Sequence, residues 1–462
     1  MTPNQPAASV PAYDSLGGNA RLDARLDADI QIEKRAYHKV FWRIMPFLML
    51  CYVIAYLDRV NVGFAKLQMG QDLAFSETVF GLGAGLFFIG YFLFELPSNL
   101  LMHKLGARIW IARIMITWGI VSGLFMFVQT PTQFYVMRFL LGLAEAGFYP
   151  GVILYLTYWY PANRRAKMIA LFMSGIPVAG MFGNPLSGWI MDAFNNTHGL
   201  RGWQWMFIIE ALPSLLIGVL TVFVLRDGID KAPWLDADEK RVLKRNVEAD
   251  QQNAVKAAGA ASGKAHGHSL GAVFRDSRVW WMCLIYFCFV TGQYALTFWM
   301  PTLVKASGVT GNFNIGLLSA IPFLCAIVVM NILGHSADAR SERRWHLIVP
   351  ALMGAAGFAI AASFTHNTTV AIAALSLAAA GVLTCAPLFW SLPTAFLSGI
   401  AAASGIAVVN SVGNLAGFVS PYMVGALKDM THSTQLPMYV LSAILVVGAV
   451  LVWLTPARLV NR

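Results

Sequence analysis

Apolar runs of about 20 residues, the length a helix needs to cross the hydrocarbon core of a bilayer, recur along this chain. Twelve are found, roughly 41–63, 78–102, 108–128, 133–158, 166–191, 204–226, 279–303, 314–336, 346–365, 369–391, 400–426 and 436–456. One long polar insert, about 227–278, separates the sixth run from the seventh. It contains PWLDADEK (233–240), which predicts a short helix, and then an Ala/Gly/Lys/His stretch that reads as flexible linker. Residues 1–35 are expected to be disordered or peripheral. The pattern predicts an all-α membrane protein with twelve transmembrane helices in two six-helix bundles. Its parts are a tail (1–40), a first bundle (41–226), a linker (227–278), a second bundle (279–456) and a short tail (457–462).

The two bundles resemble each other. Phe80-Gly81 aligns with Ile315-Gly316, and Trp110 with Trp345, at an offset of 235 residues. Pro150 aligns with Pro387, Ser174 with Ser411, Gly180 with Gly417, Gly188 with Gly425 and Asp192 with Asp429, all at an offset of 237. Single matches of Gly or Ser mean little, but a nearly constant offset held across four spans marks an internal repeat. Two parallel repeats related by an axis along the membrane normal suit a molecule whose halves rock about a central site.

Composition agrees and narrows the class. Of 462 residues, 57% are hydrophobic and 12% charged, with 30 Phe and 20 Met. Soluble domains carry about 25% charged residues, so this surface faces lipid, and nucleic-acid binding, secreted disulfide scaffolds and disorder are excluded. The net charge of +10 lies mainly in loops on one side: Lys104 and Arg108, then Arg164, Arg165 and Lys167, then Arg340, Arg343 and Arg344, with the central insert, Arg458 and Arg462. The opposite loops hold at most one basic residue each, such as Lys66, Arg201, Lys305 or Lys428. This positive-inside pattern predicts a multi-pass protein of the inner (plasma) membrane with both termini cytoplasmic. The first 30 residues carry Asp14, Asp23, Asp27 and Asp29 and lack an apolar core, so no cleavable signal is expected. Cys51, Cys283, Cys288, Cys325 and Cys385 all lie in apolar stretches without metal-ligand spacing, so they read as small buried residues and no metal site is expected.

Charges inside the spans need another explanation, since each costs about 2.5–3.5 kcal/mol on insertion scales and is a functional candidate by default. Asp58, Arg59, Glu95, Arg138, Glu145 and Glu210 qualify, and all lie in the first half. Arg138 and Glu145, seven residues apart, share a helix face about 10.5 Å apart. Asp58 and Arg59 point about 100° apart and can meet different partners. Together the four predict a balanced charge cluster, because unpaired buried ions are far costlier than paired ones. Glu210 reads instead as a pair near the interface, and Glu95 as either a proton site or a group bonded to a neighbouring helix. In the second half Gln293, Asn331, Asn410 and Asn414 are the polar candidates, each able to serve as interhelical glue or as a ligand contact.

The loop GHSADAR (334–340), followed by Arg343 and Arg344, resembles the glycine–aspartate–basic motif of the major facilitator superfamily. On that resemblance Asp338, Arg340 and Arg344 form a gating loop. The equivalent stretch NLLMHKLGAR (99–108) departs from the motif, with Asn99 in place of the first Gly and His103 in place of the Asp. YLDRVNVGFA (56–65), GYFLFELPSN (90–99), RFLLGLAEAGFYPG (138–151), GWQWMFIIEALPS (202–214) and PWLDADEK resemble, more narrowly, the anion:cation symporter family, over nearly the whole chain. That family includes carriers of tartrate, sugar acids, phthalate and 4-hydroxyphenylacetate, and the vesicular glutamate carriers. No second-span histidine of the glutamate carriers is evident, which argues against a neurotransmitter carrier.

The resemblance implies residue roles. Asp58 and Glu145 match the family's proton-handling carboxylates, with Glu95 as a further proton-site candidate. Arg59 matches the arginine that meets the substrate carboxylate, and Arg138 the fourth-span arginine that pairs with a carboxylate or supports anion binding. Tyr91, Gln293, Tyr294, Asn410 and Asn414 lie on helices that line the family's substrate cavity. The expected function is proton-coupled import of a small organic anion by alternating access, with no cofactor beyond the proton, no nucleic-acid partner, and a monomer in the lipid bilayer. Two alternatives are a proton-driven exporter on the same fold and a membrane-embedded enzyme. The enzyme would need a nucleophile, metal cluster or His-rich motif, whereas the histidines are scattered and His266 and His268 fall in the linker.

Overall fold

The computed structural model describes residues 14–262, 276–340, 342–396 and 399–456. Among these the chain is helical, with no β-structure beyond one bridge between Thr197 and Leu200. Eleven helical runs among the described residues are long and apolar enough to cross a membrane. The remaining expected crossing, 400–426, is present as two consecutive 16-residue helices, Gly399–Asn414 and Ala416–Thr431, which meet at Leu415. The chain is thus a multi-pass, all-α membrane protein.

Several spans are interrupted where the sequence allows it. The first comprises Asp14–Val60 and Val62–Asp72, joined at Asn61. The second is a single helix, Glu77–Leu105. The fourth breaks between Pro131–Glu145 and Phe148–Thr157, where Gly147 has φ +87°. That φ is costly for a residue with a Cβ, and a Cβ at this site would also strike the side chain of Ser98. The break leaves Glu145 as the last residue of a helical segment.

Two expectations near the linker need correction. The stretch 14–35, expected as disordered or peripheral, is helical and continues the first span, and from Asp29 onward it finds a partner. That partner is the linker helix Ala237–Ser262, which is also longer than the short helix expected there. Asp236 and Glu239 cap it reciprocally: the Glu239 N–H donates to Asp236 Oδ1 (2.8 Å), and the Asp236 N–H to Glu239 Oε2 (3.1 Å). The fully buried Glu239 carboxylate then takes Arg35 (2.9 Å) and Lys39 (2.8 Å) from the first helix. Residues 263–275 with His266 and His268, part of the stretch expected as linker, residues 1–13, the tail 457–462 and the His103 side chain lie outside the described residues.

The two halves meet tightly at the end of the bundle opposite the linker, and the contact repeats itself. Asp192, at the end of the fifth span (Ala162–Met173 and Gly175–Ala193), accepts from Asn312 Nδ2 and the Phe313 N–H, both at 2.7 Å, at the start of the eighth span (Asn312–Arg340). Its repeat partner Asp429, in the eleventh span, accepts from the N–H groups of Glu77 (3.1 Å) and Thr78 (2.7 Å) at the start of the second. Each is an acid on the positive end of a helix from the other half. Below them, Gly81 faces the carbonyl of Pro421 and Gly316 that of Asn184, while Gly188 faces Asn312 and Gly425 faces Glu77. A Cβ at any of the four would collide with backbone. The pairs of the repeat are therefore the residues that bring the halves together.

Candidate functional site

A cavity of about 110 Å³ lies where the first, second and fourth spans face the seventh (Ser277–Ala306), the tenth (Thr368–Phe389 and Ser391–Phe396) and the eleventh. Arg59, Tyr91, Glu95, Gln293, Tyr294, Asn410 and Asn414, all expected at the site, line it together. Arg59 is at its wall. Its Nε donates to Glu145 Oε1 at 3.1 Å, and a terminal guanidinium nitrogen pairs with the same carboxylate. Three rings surround the cation, with its Cζ 5.6 Å from the centroid of Tyr56, 5.2 Å from Phe87 and 5.6 Å from Tyr91. Aromatic faces stabilise a guanidinium without competing for its hydrogen-bond donors.

The balanced four-charge cluster does not form. Asp58 turns away between the first span, the third (Ala107–Leu124) and the sixth (Gly202–Val224). There it accepts from Trp118 Nε1 (2.8 Å), Ser122 Oγ (3.2 Å) and Ser214 Oγ. No cation reaches it among the described residues; neutral donors hold the carboxylate instead. Arg138 does not line the cavity either. It is 0% exposed and donates to the carbonyls of Gly83 (3.3 Å), Ala84 (3.3 Å) and Arg59 (3.4 Å). The site's ion pair is therefore Arg59–Glu145, with Glu95 as a second carboxylate on the cavity and Arg138 held by backbone carbonyls behind it.

Glu210 also departs from expectation. It forms no ion pair among the described residues and accepts from Asn61 Nδ2 (3.0 Å) and Ser187 Oγ (2.6 Å). Asn331 is exposed and donates to Ile327 of its own helix, away from the cavity. In the loop after the eighth span Asp338 pairs with Arg343 (2.6 Å), and Arg344 donates to the Trp453 carbonyl. Arg340 makes no ion pair among the described residues.

Most of the remaining lining is aromatic, Tyr52, Tyr56, Phe87, Phe88, Tyr149, Tyr286 and Trp390, and Met173 and Ile176 of the fifth span and Ala386 of the tenth complete it. Helical spacing held a signal for several of these. Tyr52, Tyr56 and Arg59 fall at i, i+4 and i+7 of the first span, and Phe87, Tyr91 and Glu95 at i, i+4 and i+8 of the second. The cavity is also the junction of the halves, since Tyr56 and Thr297 hydroxyls meet there at 3.4 Å.

A central polar site between two repeated helical bundles, shut at one end, defines a membrane transporter. The chain belongs to the Major Facilitator Superfamily, whose family model matches residues 48–421, and it is a carrier, not an enzyme. It is 48% identical over 429 residues to the "Putative metabolite transport protein NicT" of Pseudomonas putida, covering 93% of this chain and 96% of that one. It is 49% identical over 420 residues to a "Putative tartrate transporter" of Agrobacterium vitis, covering 91% of each. A "Quinolone resistance transporter" of Acinetobacter baumannii is 39% identical over 93% of this chain and 97% of its own. Among solved structures, an inward-facing, unoccupied bacterial homolog of the human lysosomal transporter Spinster matches with TM-score 0.71 at 16% identity, covering 90% of this chain and 96% of that one.

Proposed function

We propose that the chain is a proton-coupled symporter that imports a small organic anion, a carboxylate such as tartrate, a sugar acid or an aromatic acid, by alternating access. The observation that carries this reading is the Arg59–Glu145 ion pair, with Arg59 on the cavity wall. A bound carboxylate takes the place of Glu145 on that guanidinium. While Glu145 is ionised it competes with substrate for Arg59. Protonation removes the competitor, and the guanidinium takes the substrate carboxylate through paired charge-assisted hydrogen bonds. Asp58 is the second proton site and Glu95, beside the cavity, a further candidate. Gln293, Asn410 and Asn414 orient the rest of the substrate, and the tyrosine rings exclude water around it. Proton and substrate are then linked reciprocally, each raising the affinity for the other. No other cofactor takes part, and the carrier works as a monomer.

The basic loops support an orientation with both termini and the linker in the cytoplasm, and the carrier in the inner membrane. In that orientation the closed end faces outward and the cavity belongs to the inward-facing arm of the cycle. Substrate-loaded proteoliposomes test the scheme after a thermal-shift screen of tartrate, sugar acids, phthalate and hydroxyphenylacetate picks the substrate. Glu145→Gln should lose proton-driven accumulation and keep exchange of labelled for unlabelled substrate. Undiminished uphill uptake by that variant would remove Glu145 from the coupling.

A proton-driven exporter is the second reading, favoured by the similarity to the quinolone resistance transporter. The direction of proton movement separates the two. Adding substrate outside makes a symporter take protons up with it, whereas an antiporter releases them on that side.

A further inference from the structure

At the closed end of the bundle a second cavity, about 560 Å³, opens between the halves. Lys66 and Glu77 line it from the first half, and Lys305, His366, Lys428 and His432 from the second. Glu77 sits between two lysines. Its Oε1 accepts from Lys428 Nζ at 2.7 Å, and its Oε2 pairs with Lys66 Nζ. Lys66 is held in place by Thr302 Oγ1 (3.3 Å) and by the Trp299 ring, 3.7 Å from its centroid. The nearest other carboxylate, Asp429, is committed with both oxygens to the N–H groups of Glu77 and Thr78. Lys305 is exposed and forms no ion pair among the described residues. Two ammonium groups thus share the carboxylate of Glu77, and the exposed Lys305 lines the same cavity.

We infer that this cavity is a second anion site, an entry vestibule where a substrate carboxylate replaces that of Glu77 between Lys66 and Lys428. The inference rests on reading the chain as an organic-anion carrier. The exchange is carboxylate for carboxylate, so the two lysines keep their hydrogen bonds and no ammonium is left unpaired. Glu77 and Lys428 belong to opposite halves, so their separation also removes one of the links that hold this end shut. Lys305 and the two lysines of the pair raise the local concentration of anions at the mouth, an effect that added salt screens. Arrival of the anion and release of the gate are then one event. A solute without a carboxylate or similar anionic group has no means of displacing Glu77.

Equilibrium binding of radiolabelled L-tartrate to the purified full-length protein tests this site apart from the central one. The double variant Arg59→Gln/Glu145→Gln removes the central ion pair as a unit and leaves Arg138 on its three backbone carbonyls. It should still bind tartrate, and binding should weaken roughly tenfold when Lys428→Gln or Lys305→Gln is added, and also on going from about 10 mM to about 150 mM salt. Glu77→Gln in the same background should tighten binding several-fold, because the internal competitor is gone; a merely structural ion pair would give no such gain. Loss of all tartrate binding in the double variant overturns the vestibule, and if the wild type still binds, the central site stands. Binding indifferent to Lys305, Lys428 and Glu77 overturns it as well. Binding that depends on the lysines, with no component lost on changing Arg59 and Glu145, leaves the vestibule standing and sinks the central anion site.

Discussion

Asp58 and Arg59 are neighbours in sequence and opposites in environment. Arg59 enters an aromatic ring of contacts and takes Glu145, while Asp58 sits among an indole and two hydroxyls. The roughly 100° between successive side chains of a helix makes this possible. It lets one turn of the first span present an ion pair to the cavity and a neutral-bonded carboxylate to the third and sixth spans. Arg138 has a third kind of environment. Its guanidinium ties three backbone carbonyls of the first and second spans to the fourth. Arg138→Met should therefore cost about 2–3 kcal/mol of stability, the scale of hydrogen bonds to a charged group. KM for the transported anion should change little. A large rise in KM at unchanged thermal stability would put Arg138 in contact with substrate.

At the scale of elements, the break in the fourth span and the docked linker helix matter most. Gly147 ends the first segment two residues past Glu145, so the carboxylate paired with Arg59 stands at a helix end, where backbone carbonyls lack helical partners. The linker helix is fixed by charge. The Glu239 backbone N–H holds the Asp236 carboxyl below the usual aspartate range. Burial alone would raise Glu239, but Lys39, the Asp236 backbone N–H and Arg35 outweigh it and hold it below the usual glutamate value. Both native values are depressed. Their contribution to docking is therefore complete above the ordinary carboxylate range, near pH 4, and is lost as pH falls through the lower native values. Amide exchange over 237–250, corrected for intrinsic rates, should speed up on acidification before exchange in the spans does. Glu239→Gln should reproduce that pattern at neutral pH. Simultaneous loosening of linker and spans would mean that the linker is not a separate docking unit.

Across the whole molecule, closure of the end opposite the linker rests on two copies of one device. Asp192 and Asp429 cap helices of opposite halves, and glycines beside them let backbone meet backbone. Pseudo-symmetry predicts equal consequences. Asp192→Asn and Asp429→Asn should each weaken closure by about 1–2 kcal/mol, moving the closed-to-open ratio roughly 5- to 30-fold. Distances between spin labels across this end, measured by pulsed electron resonance, report that ratio. An unchanged distribution in both variants would show that the glycine contacts and the Glu77–Lys428 pair seal the end without the two caps.

The sequence by itself determined the membrane as solvent, the expected spans, the two halves and the short list of charges that matter. The physical reason is that each of these is local or periodic: hydrocarbon demands apolar runs of fixed length, a repeat leaves a constant offset, and an intramembrane charge stands out against its neighbours. Aligned pairs such as Gly188 and Gly425 even marked the contact between halves, although not what each would touch. Only the tertiary structure decided which carboxylate meets which cation. Arg59 and Glu145 lie 86 positions apart, and Asp58 and Ser214 are 156 apart. No helical period relates groups so distant; the packing of whole spans does. For the same reason Asp58 left the expected cluster, Glu210 found an amide and a hydroxyl, and the helical stretch 14–35 found, from Asp29 onward, the linker helix as a surface to lie against.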